Sequence, residues 1–156
     1  MIEQDEVWMR KAIKAAENAR GLNEVPIGAC LISENGELLA TAGNRTITDC
    51  DPTAHAEILV LREAARKIGN YRLTATTLYT TIEPCPMCAG ALVNARIERL
   101  VFGAHDIRFG AVESVFQICN TSSLNHQIEI TTGVLAEDCR RLMQNFFRAK
   151  RNAKSI

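Results

Sequence analysis

No stretch of this sequence approaches the roughly 20 apolar residues that a membrane span requires, so no membrane contact is expected. Nothing resembles a targeting leader either, and none is expected: MIEQDEVWMRK is acidic and without an apolar segment. We therefore expect a cytoplasmic protein. Repeats, low-complexity tracts and linker-like stretches are absent, and residues 1–156 are expected to form one domain. At 156 residues that domain is large enough to bury a full core without covalent staples. Net charge is also absent, with 18 basic and 18 acidic side chains, but the balance is uneven. From Arg140 onward there are six basic residues and no acid, leaving twelve basic against eighteen acidic residues in the body. A basic tail fits contact with a polyanion, and it equally fits cations stabilising a helix C-terminus.

What is present includes six cysteines. Cys30, Cys50, Cys119 and Cys139 are scattered singly and read as small buried apolar residues that stay reduced. Cys85 and Cys88 differ because they form a C-x-x-C.

Hydrophobic periodicity predicts a helix over residues 5–20, with Val7, Ala12, Ala15, Ala16 and Ala19 inward and Gly21 as a stop. PIGACLIS reads as a strand buried on both faces, and Asn35-Gly36 signals a hairpin to a second strand. A polar loop (44–52) leads to a helix from about Thr53, with Ile58, Leu61, Ala65 and Ile68 on one face. TTLYTTI is a strand, a helix begins near Cys85, and ERLVFGA is another buried strand. Residues 105–127 look irregular, with one short helix near VESVFQ. HQIEITTGVL offers a last strand, and the final helix has Leu135, Cys139, Leu142, Phe146 and Ala149 on one stripe. Helices interleaved with strands imply an α/β fold, a mixed five-stranded sheet with helices on both faces.

Two stretches carry chemistry, TAHAEI (53–58) and EPCPMCAG (83–90). His55 and the Cys85/Cys88 pair each open a helix, and residues i and i+3 share a helical face. Imidazole and two thiolates suit zinc, and a helix N-terminus stabilises the thiolates. Three protein ligands leave a fourth position open, the mark of a catalytic site. His105 and His126 lie in the irregular region, so no fourth ligand is evident. Glu57 can then take a proton from water without binding the metal. Alone, H-x-E is weak, and C-x-x-C could be a redox pair or half of a structural site. Together, H-x-E followed by P-C-x-x-C is the known signature of zinc-dependent nucleobase deaminases, matched here and not deduced from spacing.

With that motif and the blocks VPIGACLI, NRTITDCDPTAHAEI, NYRLTATTLYTTIEPCPMCAGALVNARIERLVFGAHD, EITTGVLAEDC and NFFRAKR, the chain resembles bacterial tRNA-specific adenosine deaminases of the TadA type, in the cytidine-deaminase-like superfamily. The resemblance implies a three-layer α/β/α fold and a homodimer. It also implies editing of the wobble adenosine of an arginine tRNA to inosine, with the anticodon stem-loop as partner. It implies one Zn2+ per chain on His55, Cys85 and Cys88, with Glu57 as proton shuttle. The peptide at Ala54 and the side chain of Asn44 would hold the base, and Asp106 and Asn125 would sit in substrate-side loops. Read alone, Asn44 is equally a loop former, and Asp106 and Asn125 are equally turn caps. Phe147 is one position off the core stripe beside Arg148, which suits a stacking surface and a phosphate contact, although both phenylalanines could also be core. The alternatives are a free-base deaminase, such as guanine deaminase, and a non-catalytic zinc-binding module. The first would not need the basic terminal helix. The second would need a fourth ligand.

Overall fold

The computed structural model describes residues 2–154. In chain order the elements are α1 (Ile2–Gly21), β1 (Gly28–Ile32), β2 (Leu38–Gly43), α2 (Ala56–Ile68), β3 (Thr77–Ile82), α3 (Pro86–Asn94), β4 (Arg99–Ala104), β5 (Glu129–Thr132) and α4 (Ala136–Lys154). The strands form one mixed sheet in the order β2-β1-β3-β4-β5. β1 pairs antiparallel with β2 and β3, while β3, β4 and β5 run parallel.

Strand alternation sorts the core into two layers. Leu31, Leu78 and Leu100 point to one side, against Val60 and Ala64 of α2 and Leu92 of α3. Their neighbours Cys30, Tyr79 and Val101 point to the other, against Met9 and Ala12 of α1 and Cys139 of α4. α1 lies so close to β1 that a Cβ on Gly28 would meet the Ala12 carbonyl oxygen at 2.0 Å. The result is the three-layer α/β/α sandwich that the sequence implied.

Several boundaries and faces differ from expectation, and Cys50, in the polar loop, is exposed where burial was expected, unlike Cys30, Cys119 and Cys139. Val7 is 59% exposed, and Asp5 is buried in its place. The turn of the helix follows a buried polar cluster: Arg99 donates to both Asp5 oxygens at 2.9 and 2.7 Å, and Tyr79 donates its hydroxyl to Oδ1 at 2.8 Å. α2 starts at Ala56 and buries Val60 and Ala64 as well as Ile58 and Leu61, while Ile68 at its end is exposed. Leu135 has φ 51, a left-handed conformation that excludes it from α4, and Ala149 is exposed.

The short helix expected near VESVFQ does not form. The Val115 and Phe116 N–H groups, which a helix would aim at the carbonyls of Ala111 and Val112, both donate to Gly110 O at 2.9 and 3.2 Å, and a buried carboxylate gathers the N–H groups before them. Glu83 Oε2 accepts from the backbone of Val112, Glu113 and Ser114 at 3.1, 2.8 and 2.9 Å. Its Oε1 accepts from Asp106 N–H at 3.0 Å and from the Ser114 hydroxyl. A Cβ on Gly110 would strike this carboxylate at 2.3 Å, so the turn requires glycine there. Glu24 does the same for the loop after β2, accepting from Ile47 and Thr48 N–H at 3.2 and 2.6 Å. Neither acid stood out in the sequence.

Parallel pairing then places the site. Ile82 of β3 pairs with Ala104 of β4, so the segments leaving both strands start side by side at one sheet edge. One carries Cys85; the other is the loop that Glu83 clamps.

Burial alone would raise the Glu83 pKa, but the bonds from Ser114, Glu113 and Asp106 outweigh it and hold the carboxyl below its ordinary 4.5. Its contribution to stability is therefore complete above about pH 4.5 and is lost as pH falls through the lower folded value. Glu83→Gln should cost about 2–4 kcal/mol at pH 7, a fall in Tm of roughly 5–15 °C. The gap from wild type should shrink in melts below pH 4.5; a gap constant with pH would contradict this account.

Candidate active site

α2 and α3 meet at their N-terminal ends, both packed on the same core layer through small residues, Ala56 and Ala89. His55 is the N-cap of α2 and Cys85 the N-cap of α3, with Pro86 next and Cys88 on the same first turn. Neither cap side chain bonds its own helix. Both turn to each other: His55 Nδ1 lies 3.6 Å from Cys85 Sγ and 3.5 Å from Cys88 Sγ. All three ligand atoms fall within 4.8 Å of one another. A tetrahedral zinc with bonds of about 2.3 Å to sulfur and 2.05 Å to nitrogen separates N and S by roughly 3.6 Å, so the donor set fits that ion.

The capping role that His55 gives up passes to Asn44, whose Oδ1 accepts the Ala56 N–H at 2.8 Å. Asn44 therefore anchors the start of α2 and, being on the cleft wall, has only its amide N–H2 to offer a ligand.

Electrostatics follow from proximity and burial. Cys85 accepts from Cys88 and its thiol falls to about 4, whereas that same bond and burial push Cys88 up. A bound cation would favour the thiolate form of both. The bond to Cys85 raises the His55 pKa against the effect of burial. Glu57, fully enclosed beneath the ligands, is raised by burial. Thr80 donates its hydroxyl to Glu57 Oε1 at 3.2 Å and fixes the carboxylate. Glu57 is not a member of the ligand group.

A cleft of about 1340 Å3 opens over Glu57, His55 and Cys85. Asn44 and Thr46 form one wall, residues 105–109 another, and Met143, Phe147, Arg148 and Arg151 of α4 a third. Phe146 is 6% exposed and belongs to the core, while Phe147 is 42% exposed and faces the cleft. Their rings meet edge to face at 5.3 Å, so the inner ring supports the outer one. Asp106 lines the cleft, but its Oδ1 also caps the turn by accepting from Arg108 and Phe109 N–H at 3.0 and 3.1 Å. Ala54 is buried; its N–H donates to Asp51 O and its carbonyl accepts from Arg45 N–H, both within the loop. Asn125 sits on an exposed turn away from the lining of this cleft. The structure therefore gathers His55, Glu57, Cys85, Cys88, Asn44, Asp106, Phe147 and Arg148 around one space, and leaves Ala54 behind it and Asn125 outside it.

Comparison with known proteins follows the same line. Residues 3–151 match the MafB19-like deaminase family. The chain is 47% identical to a tRNA-specific adenosine deaminase of Haemophilus influenzae, over 99% of this chain and 89% of that one. It is 46% identical to a tRNA-specific adenosine deaminase of Bacillus subtilis, over 97% and 93%. A structure solved in studies of A-to-I editing by tRNA:A34 deaminases at the wobble position of transfer RNA superposes with TM-score 0.83 at 41% identity, covering 86% of this chain and 97% of that one. A guanine deaminase from Nitrosomonas europaea superposes with TM-score 0.78 at 27% identity, over 90% and 83%. The fold is thus common to deaminases of free bases and of tRNA, while the higher identities over nearly the whole length lie with the second group. This chain belongs to the tRNA-specific adenosine deaminases, hydrolases that deaminate adenosine in tRNA.

Proposed function

We propose that the protein hydrolyses adenosine to inosine at the wobble position of tRNA, an arginine tRNA by its resemblance to the family, with one zinc ion held by His55, Cys85 and Cys88. The observation that carries this reading is a buried, non-ligating carboxylate beside a three-ligand metal group, in a cleft walled by an exposed phenylalanine and cations. Among the described residues His55, Cys85 and Cys88 form a group without a fourth ligand, which disfavours a closed structural site. The same family resemblance favours a homodimer acting in the cytoplasm, where tRNA is found.

Bound there, zinc supplies the Lewis acidity that makes water a nucleophile at neutral pH. The chain's own residues do the rest. His55 gives a neutral nitrogen, and Cys85 and Cys88 give thiolates. The Asn44 amide offers a donor to the ring of the base. Glu57, oriented by Thr80, takes a proton from the attacking water and passes it to the ring nitrogen beside the attacked carbon. It then carries the second proton to the departing amine. One C–O bond forms, one C–N bond breaks, and ammonia leaves. Phe147 offers a ring face to an unpaired base, and Arg148 a cation to phosphate.

The enzyme should convert an adenosine within an arginine-tRNA anticodon stem-loop to inosine and leave free guanine untouched, measured by chromatography of the nucleosides from the digested RNA and by ammonia release. Turnover of guanine alone would shift the reading to the free-base alternative. Glu57→Ala should abolish deamination with zinc content and melting nearly unchanged, because a proton shuttle is not a ligand. Loss of metal in that variant would show the role is misassigned. Cys88→Ala, or chelation of the wild type, should instead remove zinc and lower stability together, since metal binding couples to folding.

The terminal helix gives a separate test. Replacing Arg148, Lys150 and Arg151 by glutamine should weaken stem-loop binding. It should also reduce the slope of log affinity against log salt by about 0.7 per lost phosphate contact. Melting should move little, as charges near a helix end contribute about 0.3–1 kcal/mol each. The half-buried Lys150, whose ammonium lies 5.3 Å from the centre of the Phe146 ring, adds a cation–π contact of similar size, about 0.5–1 kcal/mol. Lower stability with unaltered RNA affinity would make this helix a cap only.

A further inference from the structure

The lip of the cleft carries side chains that the chemistry above does not use. Ile107 is 84% exposed and Phe109 64% exposed, and both line the cleft that contains Glu57. Neither belongs to a core cluster. Single apolar side chains on a surface are ordinary. These two are different because the backbone beneath them is fixed. Asp106 donates its N–H to the buried Glu83 carboxylate, and its own Oδ1 accepts from the N–H groups of Arg108 and Phe109. Gly110 N–H closes the turn on Asp106 O at 2.9 Å. A loop bonded this thoroughly is held with two large apolar groups pointing into solvent. Phe147 faces the same space from α4, and Arg108 and Lys150 add cations to it. Apolar faces interleaved with cations suit unpaired nucleotides, whose bases stack and whose phosphates need counter-charge.

We propose that Ile107 and Phe109 form, with Phe147 opposite, a preformed stacking subsite for the unpaired bases that flank the reacting adenosine. The subsite takes single-stranded ribonucleotides and contributes to binding the RNA, not to the chemistry at the base. It rests on the RNA reading given above. Glu83 acts on it as a positioning residue, through the loop. Because the side chains meet bases and not phosphates, their removal leaves the salt dependence of binding unaltered.

The test compares wild type with an Ile107→Ala/Phe109→Ala variant, both zinc-loaded and full-length, on the anticodon stem-loop. KM should rise about tenfold or more, the loss of one base stack, with kcat within twofold and the salt slope of affinity unchanged. Phe109→Trp, which keeps an aromatic face, should retain a KM near that of wild type and covers the case in which the alanine variant folds poorly. Sedimentation velocity on each protein gives the oligomeric state. An unchanged KM in the alanine variant would overturn the proposal, as would a raised KM that follows loss of self-association, which would assign the lip to a second copy. A wild type inactive on the stem-loop would instead sink the RNA reading itself.

Discussion

Everything at this site depends on two helix N-termini packed side by side. Small side chains, Ala56 and Ala89, allow α2 and α3 to share one core layer, and their first residues then meet at the sheet edge. That contact brings one imidazole and two thiols within 4.8 Å. It also aims two helix dipoles at the same point, which favours the thiolates that a metal needs.

Around this contact the chain spends buried carboxylates to hold loops. Glu24 and Glu83 are among the most deeply buried side chains, and each gathers backbone N–H groups from a cleft-lining segment. Buried charge is costly unless it is fully bonded, and here it is. The cleft walls are thereby fixed in the absence of regular secondary structure. Asn44 completes the scheme: it caps α2 in place of His55 and frees the imidazole for the metal.

Much of this was legible in the sequence because it rests on local signals. The continuous apolar run in PIGACLIS, the Asn35-Gly36 turn and the H-x-E and P-C-x-x-C spacing each have a short-range physical cause. The failures come from partners distant in the chain. Asp5 displaced Val7 from the core because Arg99, on β4, binds it. The helix expected near VESVFQ gives way to a turn over the Glu83 carboxylate, in which Val115 and Phe116 N–H both donate to Gly110 O. Helical periodicity, by contrast, already set Phe147 one position off the stripe that holds Phe146, and their exposures follow it. A buried acid just before a metal motif, as in EPC, was the one available hint of the Glu83 clamp.

The central claim is that three protein ligands hold a zinc whose fourth position stays open, with Glu57 nearby but unbound. X-ray absorption at the zinc edge on the purified protein measures this directly. The account predicts one nitrogen and two sulfur ligands plus one light atom from solvent, at one zinc per chain. A shell of three or four sulfurs, or a carboxylate oxygen that disappears in Glu57→Gln, would contradict it.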